Sequence, residues 1–179
     1  MANTSTVEVT GLKELDALLK TLPARIEGNV MRGGMRASLK VIGDVAKTNL
    51  AANGSINTGN LQKSIRIGFK RKSETGYGWM RGRLSAGNKD AWYAHFIEFG
   101  TASFYTGHGK TVGKPYEIRP KNHKSLFFAG VMREVIVHPG IHPKPFMRPA
   151  FDQASGKAIE TFADYLRVRL PKELAKAAR

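Results

Sequence analysis

The residues of this chain that could do chemistry are few in kind and clustered in place. All five histidines, His95, His108, His123, His138 and His142, fall within one stretch of the chain. Such a cluster invites a metal site. His138 and His142 are separated by Pro139 and Gly140, however, so they form no helical i, i+4 pair, and no carboxylate stands beside them. Loop and interface histidines are the expectation. Ser103 and Ser125 lack the G-x-S-x-G context of an activated nucleophile. Glu98 could serve as a base near His95, but both belong to a short, mostly apolar segment, and Glu98 is expected to cap a helix or pair with an arginine. A nuclease needs several carboxylates to hold its metal, and the acids here are scattered. Gly107-His108-Gly109-Lys110-Thr111 ends like a phosphate loop without the earlier glycine or the preceding apolar strand. The absence of cysteine removes thiolate nucleophiles, disulfides, Cys-ligated zinc and iron–sulfur clusters. The expectation is a protein with no catalytic residue, no cofactor and no metal.

What remains is positive charge. Lys and Arg number 29 against 14 Asp and Glu, a net charge of +15, which points to a polyanionic partner. Between Leu61 and Lys89 stand eight basic residues and one acid, Glu74. From that stretch Lys63, Arg66, Lys70, Arg71, Lys72, Arg81 and Arg83 are the first candidates for facing nucleic acid. A second set is Arg25, Arg32, Arg36, Lys40 and Lys47. At about 100° per residue these five fall within about 80° of one another on a helix. Phosphate neutralisation needs cations on a rigid frame rather than a motif. No zinc finger, RNA-recognition signature or basic zipper is present, so non-specific phosphate contact is expected rather than base reading.

The elements that must carry these residues follow from periodicity. The 179 residues, 41% hydrophobic and 24% charged, suffice for one globular domain. Residues 1–10 read as a polar arm without a signal-peptide core, and no apolar run is long enough to span a membrane. Leu12, Leu15, Leu18, Leu19 and Leu22 mark a first helix that Pro23 interrupts. Met31, Met35, Leu39, Ile42, Ala46 and Leu50 predict one long helix from Pro23 to about Ala52, with Gly33-Gly34 marking a kink or a close helix contact. Leu61–Lys70 and Tyr77–Ala86 read as a hairpin turning at 72–76. Asp90 is the expected N-cap of a helix from Ala91 to Phe99, closed by Gly100. Residues 101–149 hold six of the eight prolines, so short strands (Tyr116–Arg119, Ser125–Phe128, Val135–Val137) bordering an extended loop are expected over 101–144. Pro149 should open a last helix, with Phe151, Ala154, Ala158, Phe162, Tyr165 and Leu166 inward, and Pro171 should stop it before a basic tail, 171–179. The fold class is α+β, two helices on a small antiparallel sheet, in a single domain over 11–170.

Four stretches resemble a known family. They are Val9-Thr10-Gly11-Leu12-Lys13-Glu14-Leu15, Asn57-Thr58-Gly59-Asn60-Leu61-Gln62-Lys63-Ser64-Ile65, Tyr93-Ala94-His95-Phe96-Ile97-Glu98-Phe99-Gly100-Thr101, and the run from His138 through Pro143-Lys144-Pro145-Phe146-Met147-Arg148-Pro149-Ala150-Phe151. Their order is similar to that of the neck or tail-completion proteins of long-tailed bacteriophages, akin to minor tail protein Z. The matching positions include Thr58, Gly59, Leu61, Tyr93, Glu98, Gly100, Thr101, Pro145, Phe146 and Pro149. They read as folding signals, with Thr58-Gly59 turning from helix into hairpin and Phe146 as an anchor.

The resemblance implies a structural virion protein at the head–tail junction, made in the host bacterial cytoplasm. It implies a ring of subunits, expected to be sixfold, in contact with head connector or stopper, tail terminator or tail-tube proteins and lining the exit channel of double-stranded DNA. Phe104, Tyr105, Phe127, Phe128, His138, His142 and Phe146 are the expected interface residues. The alternative is a stand-alone, non-specific nucleic-acid-binding protein of a bacterium or prophage, which shares the charge but not the ordered motifs.

Overall fold

The apolar stripe at steps of three and four does form one helix, α1, from Ala24 to Ala52. The computed structural model describes residues 24–55, 57–70, 80–109, 112–121 and 124–177, with backbone alone at 24–27, 128 and 177. The expected arm 1–10, the helix over 11–22, the turn at 72–76 and the side chains of Arg25, Arg71, Lys72 and Phe128 lie outside the described residues.

Helix α1 packs antiparallel to the last helix, α4, which runs from Met147 to Ala177. Val30 meets Leu166 and Leu170 at one end, and Leu50 shares a buried cluster with Phe146 and Ala150 at the other. The two helices approach closely because small residues line their contact. Ala150, Ala154 and Ala158 recur every fourth residue on α4 and are buried, as is Ala46 on α1. The Gly33-Gly34 pair marks this approach. A Cβ on Gly34 would stand 2.8 Å from the Phe162 ring, and one on Gly33 would overlap Tyr165.

Three expectations for α4 are corrected. It begins at Met147, so Pro149 sits inside the first turn, where its missing N–H has no intrahelical partner to lose. It also continues through Pro171. Leu170 is buried against Val30 and Leu166, and Glu173 pairs with Arg169 at 3.1 Å and Lys176 at 3.5 Å. Contacts on both sides of the proline hold the helix together. Phe151, expected on the inward face, is 56% exposed.

The stretch Leu61–Lys70 is not one strand. Asn60–Ser64 forms a helical turn, α2, and the strand β1 covers only Arg66–Lys70. Gly59 precedes α2 at φ +74°, a conformation that glycine tolerates, so Thr58-Gly59 leads into a helix rather than directly into the hairpin. Leu61 and Ser64 fall on one face of the turn and are both buried. The Ser64 hydroxyl donates to Leu61 O at 2.7 Å and accepts from Gly87 N–H at 2.9 Å.

Strand β2, Arg81–Ser85, pairs antiparallel with β1 in the register Arg66↔Ser85 through Lys70↔Arg81. Ile67, Phe69, Gly82 and Leu84 therefore share one face. That face lies on α1: a Cβ at Gly82 would meet Leu39 and Met35, and Leu84 lies over Gly43.

Helix α3 spans Ala94–Phe99, shorter than expected. Asn88, not Asp90, organises its approach, with Oδ1 accepting from Asp90 N–H at 3.0 Å and Ala91 N–H at 2.8 Å. Gly100 closes the helix at φ +75°. A single 3-10 turn, Ala102–Phe104, follows.

Beyond it, two strand pairs are nested in sequence. The strand β3 (Tyr116–Ile118) pairs with β6 (Ile136–His138), and inside them β4 (Leu126–Phe128) pairs with β5 (Val131–Arg133). The inner turn is Ala129-Gly130, both at positive φ, as a tight two-residue hairpin demands. The sequence reading expected short strands here but not β5, because Val131–Arg133 shows no alternation of its own.

Candidate functional site

Two features converge around the motifs: a clasp that positions the chain, and a cationic face that could act on a partner. The clasp is built on Glu98, a buried carboxylate on α3. Its Oε2 accepts from Phe146 N–H at 2.8 Å and Met147 N–H at 2.9 Å, and its Oε1 accepts from Arg148 N–H at 3.1 Å. These donors are Phe146, just before α4, and the first two residues of its first turn, whose N–H groups lack intrahelical acceptors and whose dipole favours an anion. Arg148 completes the arrangement, donating from Nε to Oε1 at 3.1 Å and from Nη2 to Glu98 O at 3.0 Å, and lying 4.9 Å over the Phe99 ring. Burial alone would raise the Glu98 carboxyl. The N–H donors of Met147, Phe146 and Arg148, with the Arg148 side chain, outweigh that and hold it below the ordinary glutamate range. The carboxylate is thus a structural acceptor, as the sequence reading anticipated for its helix-capping or arginine-pairing role.

Neighbouring bonds extend the clasp. Thr101 N–H donates to Ile141 O at 3.0 Å, and Thr101 Oγ1 accepts from Ile141 N–H at 2.9 Å. Lys144 N–H donates to Ile97 O at 2.8 Å, and Asn53 Nδ2 donates to Pro145 O at 3.0 Å. Phe146, 1% exposed, anchors the approach to α4 in the core, so it faces inward rather than toward a partner. The arm of residues 102–140 leaves and re-enters the fold at this clasp.

The cationic face lies on the hairpin. With Ile67, Phe69 and Leu84 turned to α1, the opposite face of β1–β2 carries Arg66, Lys70, Arg81 and Arg83, interrupted only by Gly68 and Ser85. Lys70 stands directly across from Arg81. Arg66 Nη1 donates to Gly87 O at 2.7 Å, which fixes its head without neutralising it. No acidic residue belongs to either strand. Lys63 is exposed in α2 beside the hairpin.

The α1 set is more engaged. Arg36 lies 5.5 Å over Phe69 on the hairpin. Arg32 is half-buried, and its Nε has no hydrogen-bond partner. Lys40 is exposed, and Lys47 pairs with Asp44 at 3.7 Å. Asp44, off the stripe by helical angle, still reaches it across one turn.

The other sequence candidates do not form one site. Phe104 stacks on His142, with ring centroids 3.6 Å apart, and Tyr105 packs edge-on to Phe99. His138 Nδ1 accepts from Gly140 N–H at 3.0 Å. Phe127 stands 74% exposed. Among the described residues, no three of His, Asp and Glu gather closely enough to hold a metal ion, and no helix is long and apolar enough to cross a membrane. What the sequence reading did not find is the role of Arg148 as the arginine that Glu98 holds; its place one residue inside the last helix, next to Pro149, was the available signal.

No curated protein and no solved structure matches the chain. A family model does match over residues 14–100, just under half of the chain, and its description reads "Bacteriophage HK97-gp10, putative tail-component". The match takes in α1, α2, the cationic hairpin and α3 with Glu98, and ends at Gly100. Over that stretch the chain is similar to this family of bacteriophage tail components.

Proposed function

We propose that the chain is a structural protein of the virion that assembles as a ring, sixfold like the tail tube, at the head–tail junction. There it joins tail to head through connector or stopper, terminator or tail-tube proteins. Its β1–β2 hairpin turns Arg66, Lys70, Arg81 and Arg83 toward the duplex that leaves through the ring. The observation that carries this reading is the one-sided hairpin, with Lys70 across from Arg81. Cations gathered on one face of a ribbon, with no acid on either strand, make a positive field that phosphates can meet. The contact is with phosphate, since four cations on a flat ribbon form a field and not a base-reading code. Subunits of net charge +15 repel one another, and ring assembly should respond to salt, to DNA or to acidic neighbours. The family match over the hairpin favours this virion role over a stand-alone binder of a bacterium or prophage.

The test is duplex binding across a salt titration, with the full chain and with Arg66, Lys70, Arg81 and Arg83 changed together to Gln. The variant should lose most of its affinity, and the slope of log K against log salt should fall by about 3–4. Equal affinity and slope for both proteins would leave the hairpin as a solvated face. Virions carrying the variant should show the matching defect in genome delivery or tail joining.

A further inference from the structure

One face of the arm's inner strand pair shows two large, exposed apolar side chains. Phe127 and Met132 are register partners across β4–β5, so their side chains lie next to each other on one side of the ribbon. They are 74% and 63% exposed. Elsewhere, where α1, β2 and α4 meet, an open cavity of about 340 Å³ is walled by Met35, Leu39, Ile42, Phe151, Ile159 and Phe162. A cavity of about 150 Å³ takes a benzene ring, so this one has room for a phenylalanine ring with a methionine beside it. Phe151 stands half out of the groove at its rim.

Charge complements shape. On α4 the residues following Phe151 and Ile159 are Asp152 and Glu160, both exposed, and neither carboxylate has an ion partner among the described residues. The inner hairpin is flanked by the exposed cations Lys121, Lys124 and Arg133 against the single acid Glu134.

We propose that the β4–β5 hairpin of one copy of this chain seats Phe127 and Met132 in the α1–β2–α4 groove of the next copy. This is a head-to-tail contact between two different surfaces, which closes into a ring when the rotation between copies allows it. The hairpin is carried on an arm whose base the Glu98 clasp holds, so a groove on one copy and a ribbon on the next can be brought into a set register. The inference rests on the ring reading above and adds the surfaces that make the ring.

The chain has no cysteine, so introduced thiols report one contact only. Phe127→Cys chains are mixed with Ile159→Cys chains and oxidised. The mixture should give disulfide dimers at least about tenfold above either variant alone, and a chain with both changes should give a ladder ending at the ring number. Dimers at equal levels in the single variants overturn the proposal. So does a disulfide within one chain carrying Leu15→Cys and Ile159→Cys, which would mean that the chain's own N-terminal residues fill the groove.

A second variant, Phe127→Ser, removes an exposed ring and should melt as the parent does. It should raise the concentration needed for assembly by about tenfold or more. Ring formation is read separately, by particle size and electron microscopy. Rings that form unchanged in Phe127→Ser overturn the hairpin contact and leave the ring reading standing. Absence of rings in the parent at every salt and DNA concentration overturns both.

Discussion

Glu98 and Arg148, fifty residues apart in the chain, hold each other by side chain and backbone at once, with Arg148 Nε 3.1 Å from Glu98 Oε1 and Arg148 Nη2 3.0 Å from Glu98 O. The same carboxylate receives the first N–H groups of α4. One acidic side chain thus ties the short helix before the arm to the long helix after it.

Changing Glu98 to Gln keeps the shape and removes the charge. Hydrogen bonds to a charged group contribute about 1.5–3 kcal/mol, and a loss of that size is expected in urea unfolding at pH 7. The pH dependence has a definite sign. The folded carboxyl titrates below its unfolded value, so its contribution is fully present above about pH 4.3 and is lost as pH falls through the lower folded value. Parent and variant should converge in stability on acidification. A difference that stays constant to pH 2 would mean that the carboxylate charge is not what stabilises the clasp.

Gly34→Ala tests the approach of α1 to α4. In an open helix this change gains about 1 kcal/mol. Here the new methyl would stand 2.8 Å from the Phe162 ring, so a loss of about 1–3 kcal/mol is expected. A more stable variant would show that Phe162 moves aside freely and that the helices are less tightly fitted.

Lys70→Glu separates stability from binding. The new carboxylate would face Arg81 across the ribbon, replacing a like-charge pair with an opposite one, a gain of about 0.2–1 kcal/mol. Duplex affinity should fall in the same protein. Thermal melting and DNA titration on one sample check both signs. A fall in both would mean that Lys70 has a structural role its exposure does not suggest.

Pro171→Ala restores a missing N–H within α4. Proline in a helix interior costs about 3 kcal/mol, and the end of the helix should recover part of this, about 1–2 kcal/mol. Amide exchange over 166–177 should slow. Unchanged exchange would place the helix end at the proline in solution.

Much of this protein is legible from neighbouring residues. Steps of three and four marked α1 and most of α4, the glycine pair marked a close helix contact, Gly100 marked a helix end, and the excess of Lys and Arg located the hairpin as the cationic element. These signals depend on backbone preference and on periodicity, both properties of contiguous chain. Glu98 could be read as a cap or an arginine partner, but not as the cap of a helix fifty residues away, since that bond exists only once Thr101 and Ile141 are side by side.

Tertiary burial decided the rest. Leu61 and Ser64 take a helical turn because both then enter the core, whereas in a strand residues three apart would point to opposite faces. The last helix runs through Pro171 because Leu170 finds Val30, and burying that side chain helps offset the backbone cost of the proline. The pairing of Phe127 with Met132, and which face of the hairpin shows its arginines, follow from strand register. Register is set by which apolar side chains gain burial when the chain collapses, and that free energy is not stored in any one stretch of sequence.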